Sequence, residues 1–156
     1  MYDRILYPTD GSDGSEAAIA HVREMAEAFD ATVHVLHVVD TRQFTLGLGG
    51  NYISGPKGYA KDQPSTEDRK RELEERARPF VEELAADFGG IDTVSAVRAG
   101  NPHRAILEYI DENDIDLVVM GTEGRTGVER YLLGSVSEKV VRLAGPPVVT
   151  VRAEEE

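Results

Sequence analysis

The chain contains no cysteine among its 156 residues, which excludes a disulfide framework, a thiolate metal site and a thiol nucleophile. No apolar run approaches the roughly 20 residues that span a bilayer. The opening "YDRILYP" enters an amphipathic strand without a charged leader or an apolar signal region. A soluble, cytoplasmic protein with no membrane partner is therefore expected. Positive charge is scarce as well: 17 lysines and arginines face 29 acidic residues, for a net charge of −12. Such a surface repels nucleic-acid phosphates and anionic lipid headgroups, so no nucleic-acid partner is expected. Lysine occurs only at Lys57, Lys61, Lys70 and Lys139. The bias toward arginine suits a salt-rich cytoplasm and equally an ordinary acidic, well-hydrated surface.

Several signatures of known chemistry are also missing. There is no G-x-x-x-x-G-K-[ST], so no P-loop lysine holds phosphates, and no G-x-G-x-x-G follows the first strand, which argues against a dinucleotide. No serine has the G-x-S-x-G setting of a hydrolase nucleophile. A phosphorylatable receiver domain would need a phosphoacceptor aspartate ending the third strand and a lysine ending the fifth. The chain has Ala99 and Gly100 at the first place and Arg152 near the second, which excludes that reading. His34 and His37 lie three apart in a strand and face opposite sides, so they cannot make a two-histidine metal site, and His21 and His103 fall on separate helices.

What is present alternates between two periods. "RILYP" is a short strand closed by Pro8, and "TDGSDGS" a turn. From Ser15 to Phe29 a helix is predicted, with Ala18, Ile19, Val22, Met25, Ala26 and Phe29 as its buried stripe. "ATVHVLHVV" is nearly continuous in apolar character, as a strand covered on both faces should be. Asp40 to Ser65 is glycine-rich, holds two prolines and carries no period; it reads as a lid or as a disordered insertion. Ser65 and Asp68 resemble a capping box opening a charged helix, with Leu73, Ala77, Phe80, Val81, Leu84 and Phe88 inward and Glu72 paired with Arg76. Pro79 within it predicts a kink or a restart. "TVSAVRAG" is the third strand. "NPHRAILEYIDEN" is a helix with Asn101 as N-cap and Pro102 in its first turn, and "DLVVMG" is the fourth strand. Gly145 reads as a helix stop before the strand "PPVVTVR", and the acidic residues 153–156 as a fraying tail.

Strands alternating with helices, without an internal repeat, imply an α/β fold. We expect a single doubly wound, Rossmann-like domain over residues 1–152, with a five-stranded parallel sheet and helices on both faces. Ligands of such sheets bind beyond the carboxyl ends of the strands, where the strand order reverses. At one such end lies "MGTEGRTGVERYLLGSVSEKV", with Met120 and Gly121 leaving the fourth strand and Gly124, Gly134 and Ser135 following. Glycines let main-chain N–H groups approach a ligand where a Cβ would clash. "VERYLL" can form a short helix, and "SVSE" fits a capping box in which Ser135 caps and Glu138 reaches back. A helix start of this kind accommodates phosphate, with the hydroxyls of Ser135 and Ser137 as added donors. The same pattern would also serve an ordinary tight strand-to-helix connection. "PTDGS" brings the Pro8 carbonyl, the Thr9 amide and hydroxyl and the Asp10 carboxylate to the same edge. Asp10 could hold Mg²⁺ against phosphate oxygens or close an Asx turn. Arg125 could reach a phosphate or stand in solvent.

"ILYPTDGS", "LHVVD", "AGNPHRAI", "DLVVMGTEGRTG" and "LLGSVSEKVVRLAGPPVVTVR" resemble, in order and spacing, the universal stress proteins of the UspA type over nearly the whole chain except Asp40 to Ser65. The Gly121, Gly124, Gly134, Ser135 pattern is similar to that of the ATP-binding members. The resemblance implies that Pro8, Thr9 and Asp10 line the ribose and phosphate side, that the main chain of Val38 meets adenine, and that Met120 packs near the nucleoside. It further implies main-chain contacts from Gly121, Gly124 and Gly134, with Ser135, Val136 and Ser137 closing round the phosphates. Glu123 departs from the histidine common in relatives and is expected to point outward, because a carboxylate turned inward would repel phosphate.

The expected function is therefore an ATP-binding signalling or stress-response module, with Mg²⁺ held at Asp10. Turnover should be slow or absent, since no general base or arginine finger is evident. The alternative is a nucleotide hydrolase or phosphotransferase using metal at Asp10. A homodimer is expected through the edge strand 147–152, pairing with its copy across a two-fold.

Overall fold

A computed structural model describes residues 1–41, 66–122 and 134–153. Ten elements follow one another: β1 Arg4–Thr9, α1 Asp13–Glu16, α2 Ile19–Phe29, β2 Thr32–Asp40, α3 Thr66–Ala86, β3 Thr93–Gly100, α4 Pro102–Glu112, β4 Leu117–Gly121, α5 Ser135–Leu143 and β5 Val148–Val151. The strands form one five-stranded sheet in the order β3-β2-β1-β4-β5. Every pairing is parallel. This is the doubly wound α/β sheet that the alternation of periods predicts.

Period-two alternation along the central strands divides the core into two layers. Ile5 and Tyr7 of β1, Val33 and Val35 of β2, and Leu117 and Val119 of β4 join Ala18, Val22 and Ala26 of the α2 region and Val81 of α3. Leu6, Leu36, Val118 and Met120 point the other way, into a cluster with Ile106, Tyr109 and Ile110 of α4 and Val140 of α5. Ile5, Leu6, Leu36, Val118 and Val119 are fully buried; each such side chain contributes about 1.5–3 kcal/mol of hydrophobic stabilisation. β1, β2 and β4 carry apolar groups on both faces because helices cover both, which is why these strands read as unbroken apolar runs.

Some helix boundaries differ from expectation. The predicted helix from Ser15 to Phe29 is divided, with a break at Ala17 and Ala18. The Ser15 carbonyl explains this: it accepts both the buried Tyr7 hydroxyl at 2.7 Å and the Ala18 N–H at 3.2 Å. The chain thus tightens locally to serve a tertiary contact. Pro79 neither ends nor restarts its helix, since α3 runs continuously from Thr66 to Ala86 around it. Gly145 is not a left-handed stop: α5 is capped by Ala144 at φ −71 and ψ 141. The Ala144 N–H still donates to the Val140 carbonyl, and Pro146 disfavours helical backbone at Gly145 directly before it. Asn101 caps α4 as expected, its side chain accepting from the Arg104 N–H. The insertion over 42–65, including Ser65, lies outside the described residues.

One polar pair interrupts the second layer. His34 of β2 is buried, with Nδ1 2.7 Å from the Tyr109 hydroxyl of α4. The Arg98 guanidinium lies 5.3 Å over the Tyr109 ring. Burial, with the Arg4 charge adding to it, pushes His34 below its ordinary value of 6.5. As pH falls below about 6.5, the unfolded chain therefore takes up a proton that the folded chain refuses. Stability declines across that window and levels off below the folded-state value. Urea midpoints of the wild type should fall between pH 7.5 and 5.5 more than those of His34→Gln; parallel curves would rule out His34 as the source.

Candidate functional site

The chain leaves β1 toward β2 and β3 and returns on the other side at β4, so the strand order reverses between β1 and β4. A gap opens there for a local reason. The Asp116 N–H donates to the Arg4 carbonyl, so the main-chain groups of Arg4, Leu6 and Pro8 face β4. Proline has no N–H to donate. The β1–β4 register accordingly stops at Leu6↔Val118, although β1 continues to Thr9 and β4 to Gly121.

Main-chain groups line this gap from three strands. Val118 and Thr122 donate across to the Pro147 and Val151 carbonyls of the β5 side, so the intervening Val119 and Gly121 turn their main chain toward β1. On β2 the Thr32 N–H donates to the Asp3 carbonyl, so Val38 faces the same way. Because β1 ends opposite His37, the Val38 carbonyl projects past its last residue. The side chains of Val38 and Val136 pack against the cluster containing buried Met120, which gives the site an apolar floor.

At the end of β1 the segment "TDGS" folds on itself. The Thr9 hydroxyl lies 2.9 Å from the Ser15 hydroxyl and accepts the Gly11 N–H at 3.1 Å. The Ser12 N–H donates to Asp10 Oδ1 at 2.9 Å, an Asx turn. Thr9 is buried, so its hydroxyl supports the turn, while the Pro8 carbonyl faces the gap. Burial raises the Tyr7 hydroxyl above its ordinary 10.0, keeping it a neutral donor to Ser15 beneath this turn. Among the described residues no group of three or more histidines or carboxylates gathers to hold a metal. A single carboxylate such as Asp10 nonetheless fits Mg²⁺, which takes its remaining ligands from phosphate oxygens and water.

The start of α5 stands beside the end of β4. The Gly134 N–H donates to the Thr122 carbonyl at 2.6 Å. Gly134 itself is the N-cap, at φ −61 and ψ 158, and offers no capping side chain. The expected Ser135–Glu138 capping box is therefore not formed. The helix begins one residue earlier than that box requires, with Ser135 already its first residue, and Glu138 pairs with Arg142 instead. Ser137 is buried, its hydroxyl donating to the Gly134 carbonyl at 3.1 Å. What this turn presents is main chain: the amides of Ser135, Val136 and Ser137 have no acceptors within the helix. They sit at the positive end of the helix dipole, a setting that favours an anion. Gly124, Arg125, Glu123 and "VERYLL" lie outside the described residues.

The structure thus brings Pro8, Asp10, Val38, Met120, Gly121, Gly134, Ser135, Val136 and Ser137 to the carboxyl edge of the sheet around the point of reversal. A match to the universal stress protein family covers residues 1–152. The chain belongs to that family. It is 36% identical over 153 residues to the universal stress protein MJ0531 of Methanocaldococcus jannaschii, covering 97% of this chain and 83% of that one. It is 31% identical over 155 residues to MJ0577 of the same organism, covering 97% and 96%. The solved structure of MJ0577 superposes with a TM-score of 0.76 at 28% identity, covering 100% of this chain and 99% of that one. A universal stress protein from Archaeoglobus fulgidus, solved in complex with dAMP, shares the fold at a TM-score of 0.60 and 19% identity, covering 96% and 97%.

In this universal stress protein two residues behind the edge were not legible as contributors. His37 donates from Nδ1 to the Thr9 carbonyl at 2.8 Å, and Phe80 stands edge-on to the His37 ring at 5.3 Å. The sequence marks Phe80 only as one of several inward positions of a helix.

Proposed function

We propose that this universal stress protein binds ATP, with Mg²⁺, across the gap between β1 and β4 in the cytoplasm, and that occupancy is the signal. Bound nucleotide would favour one dimer state or partner, with turnover slow or absent. The observation that carries this is the glycine-capped start of α5, tied through the Thr122 carbonyl to the end of β4. It leaves amides rather than lysines to receive phosphate.

The remaining parts suit a nucleotide laid across the edge. The Val38 carbonyl and the Met120 floor would take adenine, and Pro8, Asp10 and Gly121 the ribose and phosphates, with Gly124 and Arg125 completing the cradle. Mg²⁺, when bound, would neutralise phosphate charge, and Asp10 would contribute one ligand to it. β5 is a short edge strand, and pairing 147–152 with its copy would remove that exposed edge and build the dimer. The dAMP-bound relative from A. fulgidus speaks for the fold and not for these residues.

Mass spectrometry of small molecules released from the purified, denatured protein tests this, together with titration calorimetry using MgATP. About one adenine nucleotide per chain, retained without turnover, is the expected result. A protein that releases none and gives no binding heat with MgATP, ATP or AMP would exclude nucleotide binding. Sustained phosphate release lost in Asp10→Ala would favour a hydrolase or phosphotransferase.

A further inference from the structure

The Asx turn at Asp10 is braced from outside by a residue of α3. Gly11 has φ +79, and a Cβ placed on it would lie 3.1 Å from Phe80 Cζ and 3.5 Å from Cε1. The tip of the Phe80 ring therefore abuts the main chain directly after Asp10. The other side of the stack is His37, whose ring meets Phe80 at 5.3 Å and 77° and whose Nδ1–H donates to the Thr9 carbonyl directly before Asp10. Asp10 is thus flanked by two contacts that both depend on Phe80. One is made by the ring itself; the other passes through the His37 imidazole that the ring supports. The hydrogen bonds within the turn, Gly11 N–H to Thr9 Oγ1 and Ser12 N–H to Asp10 Oδ1, fix its shape. Through Thr9 they also tie one side of the turn to β1. Phe80 supplies the brace on the other side, because it joins the turn to α3 and to the end of β2.

α3 has a matching peculiarity. Pro79, immediately before Phe80, cannot donate to the carbonyl one turn earlier. Only glycine tolerates the contact on the other side, since position 11 combines a left-handed φ with van der Waals approach to an aromatic ring.

We propose that Phe80 is a positioning residue of the nucleotide site: wedged between His37 and Gly11, its ring sets the direction of the Asp10 carboxylate toward metal-bound phosphates. This rests on the nucleotide reading above. It predicts that the wedge governs the gain in affinity that Mg²⁺ confers on ATP, and leaves adenosine binding alone. Outer residues that orient a metal ligand typically change metal affinity about 10–100-fold when removed.

Calorimetry on the full chain, stripped of nucleotide, with MgATP, ATP in EDTA and adenosine is the test. In Phe80→Ala the ratio of ATP affinities with and without Mg²⁺ should fall by about tenfold, with adenosine affinity unchanged. In the nucleotide-free variant the Gly11 and Ser12 amides should lose protection from hydrogen exchange. Phe80→Leu, which keeps apolar volume against the core, and Gly11→Ala, which pushes the turn from its other side, should reproduce the fall if Phe80→Ala does not fold. Folded variants with the wild-type ratio and wild-type protection would overturn the wedge. Wild-type protein that binds neither ATP nor adenosine would overturn the nucleotide reading, and the wedge with it.

Discussion

Gly134→Asp should weaken ATP binding by about 100-fold or more while slightly raising the melting temperature. The backbone at Gly134, φ −61 and ψ 158, is open to any residue. An aspartate there is a preferred N-cap and would accept from the second and third amides of α5. Those are the amides assigned to phosphate. Each charge-assisted bond lost is worth roughly 1.5–3 kcal/mol, and about 1.4 kcal/mol is a factor of ten in affinity. Repulsion between the new carboxylate and the ligand acts in the same direction. Stability moves the other way. The cap improves on glycine by a few tenths of a kcal/mol and the dipole adds about 0.3–1 kcal/mol. At roughly 2–4 °C per kcal/mol the melting point should rise by about 1–4 °C. Calorimetry with MgATP and a thermal melt of the nucleotide-free protein give both signs. Unchanged affinity would remove the start of α5 from the site.

The largest loss of stability is expected from Leu36→Ala. Leu36 is fully buried at the centre of β2 and packs in the layer that includes Met120, Ile106 and Val140. The truncation should cost about 2–5 kcal/mol, or roughly 5–20 °C of melting temperature. Val94, on edge strand β3, is 42% exposed; Val94→Ala should stay within about 0.5 kcal/mol. Chemical denaturation should show lower midpoints at an unchanged slope for the first and almost none for the second. Similar small shifts for both would mean that this layer is not close-packed.

The periodicities alone carried most of the fold. Thr93–Gly100 and the Asn101 cap lie where the sequence put them, because alternation and capping are local properties. Failures came where a tertiary partner outweighed a local preference. The Ser15 carbonyl is claimed by Tyr7, which divides a helix that looks continuous. The "SVSE" box depends on a one-residue boundary, which the bond from Gly134 to Thr122 decides. Pro8 reads in the sequence as the close of a strand, whereas β1 runs one residue further, to Thr9. That the missing N–H of Pro8 lies on the β4 side, and so opens the gap, depends on strand order. Phe80 could not be singled out for the same reason, since its partners His37 and Gly11 are distant in sequence.

The bond between Thr122 and Gly134 has a consequence for how this scaffold can vary. Residues 123–133 depart from and rejoin the frame at one spot, so the frame does not depend on their number. Doubling such a segment costs only about 0.6 kcal/mol in closure entropy. Its length can therefore change at small cost while the strands and helices beneath keep their places.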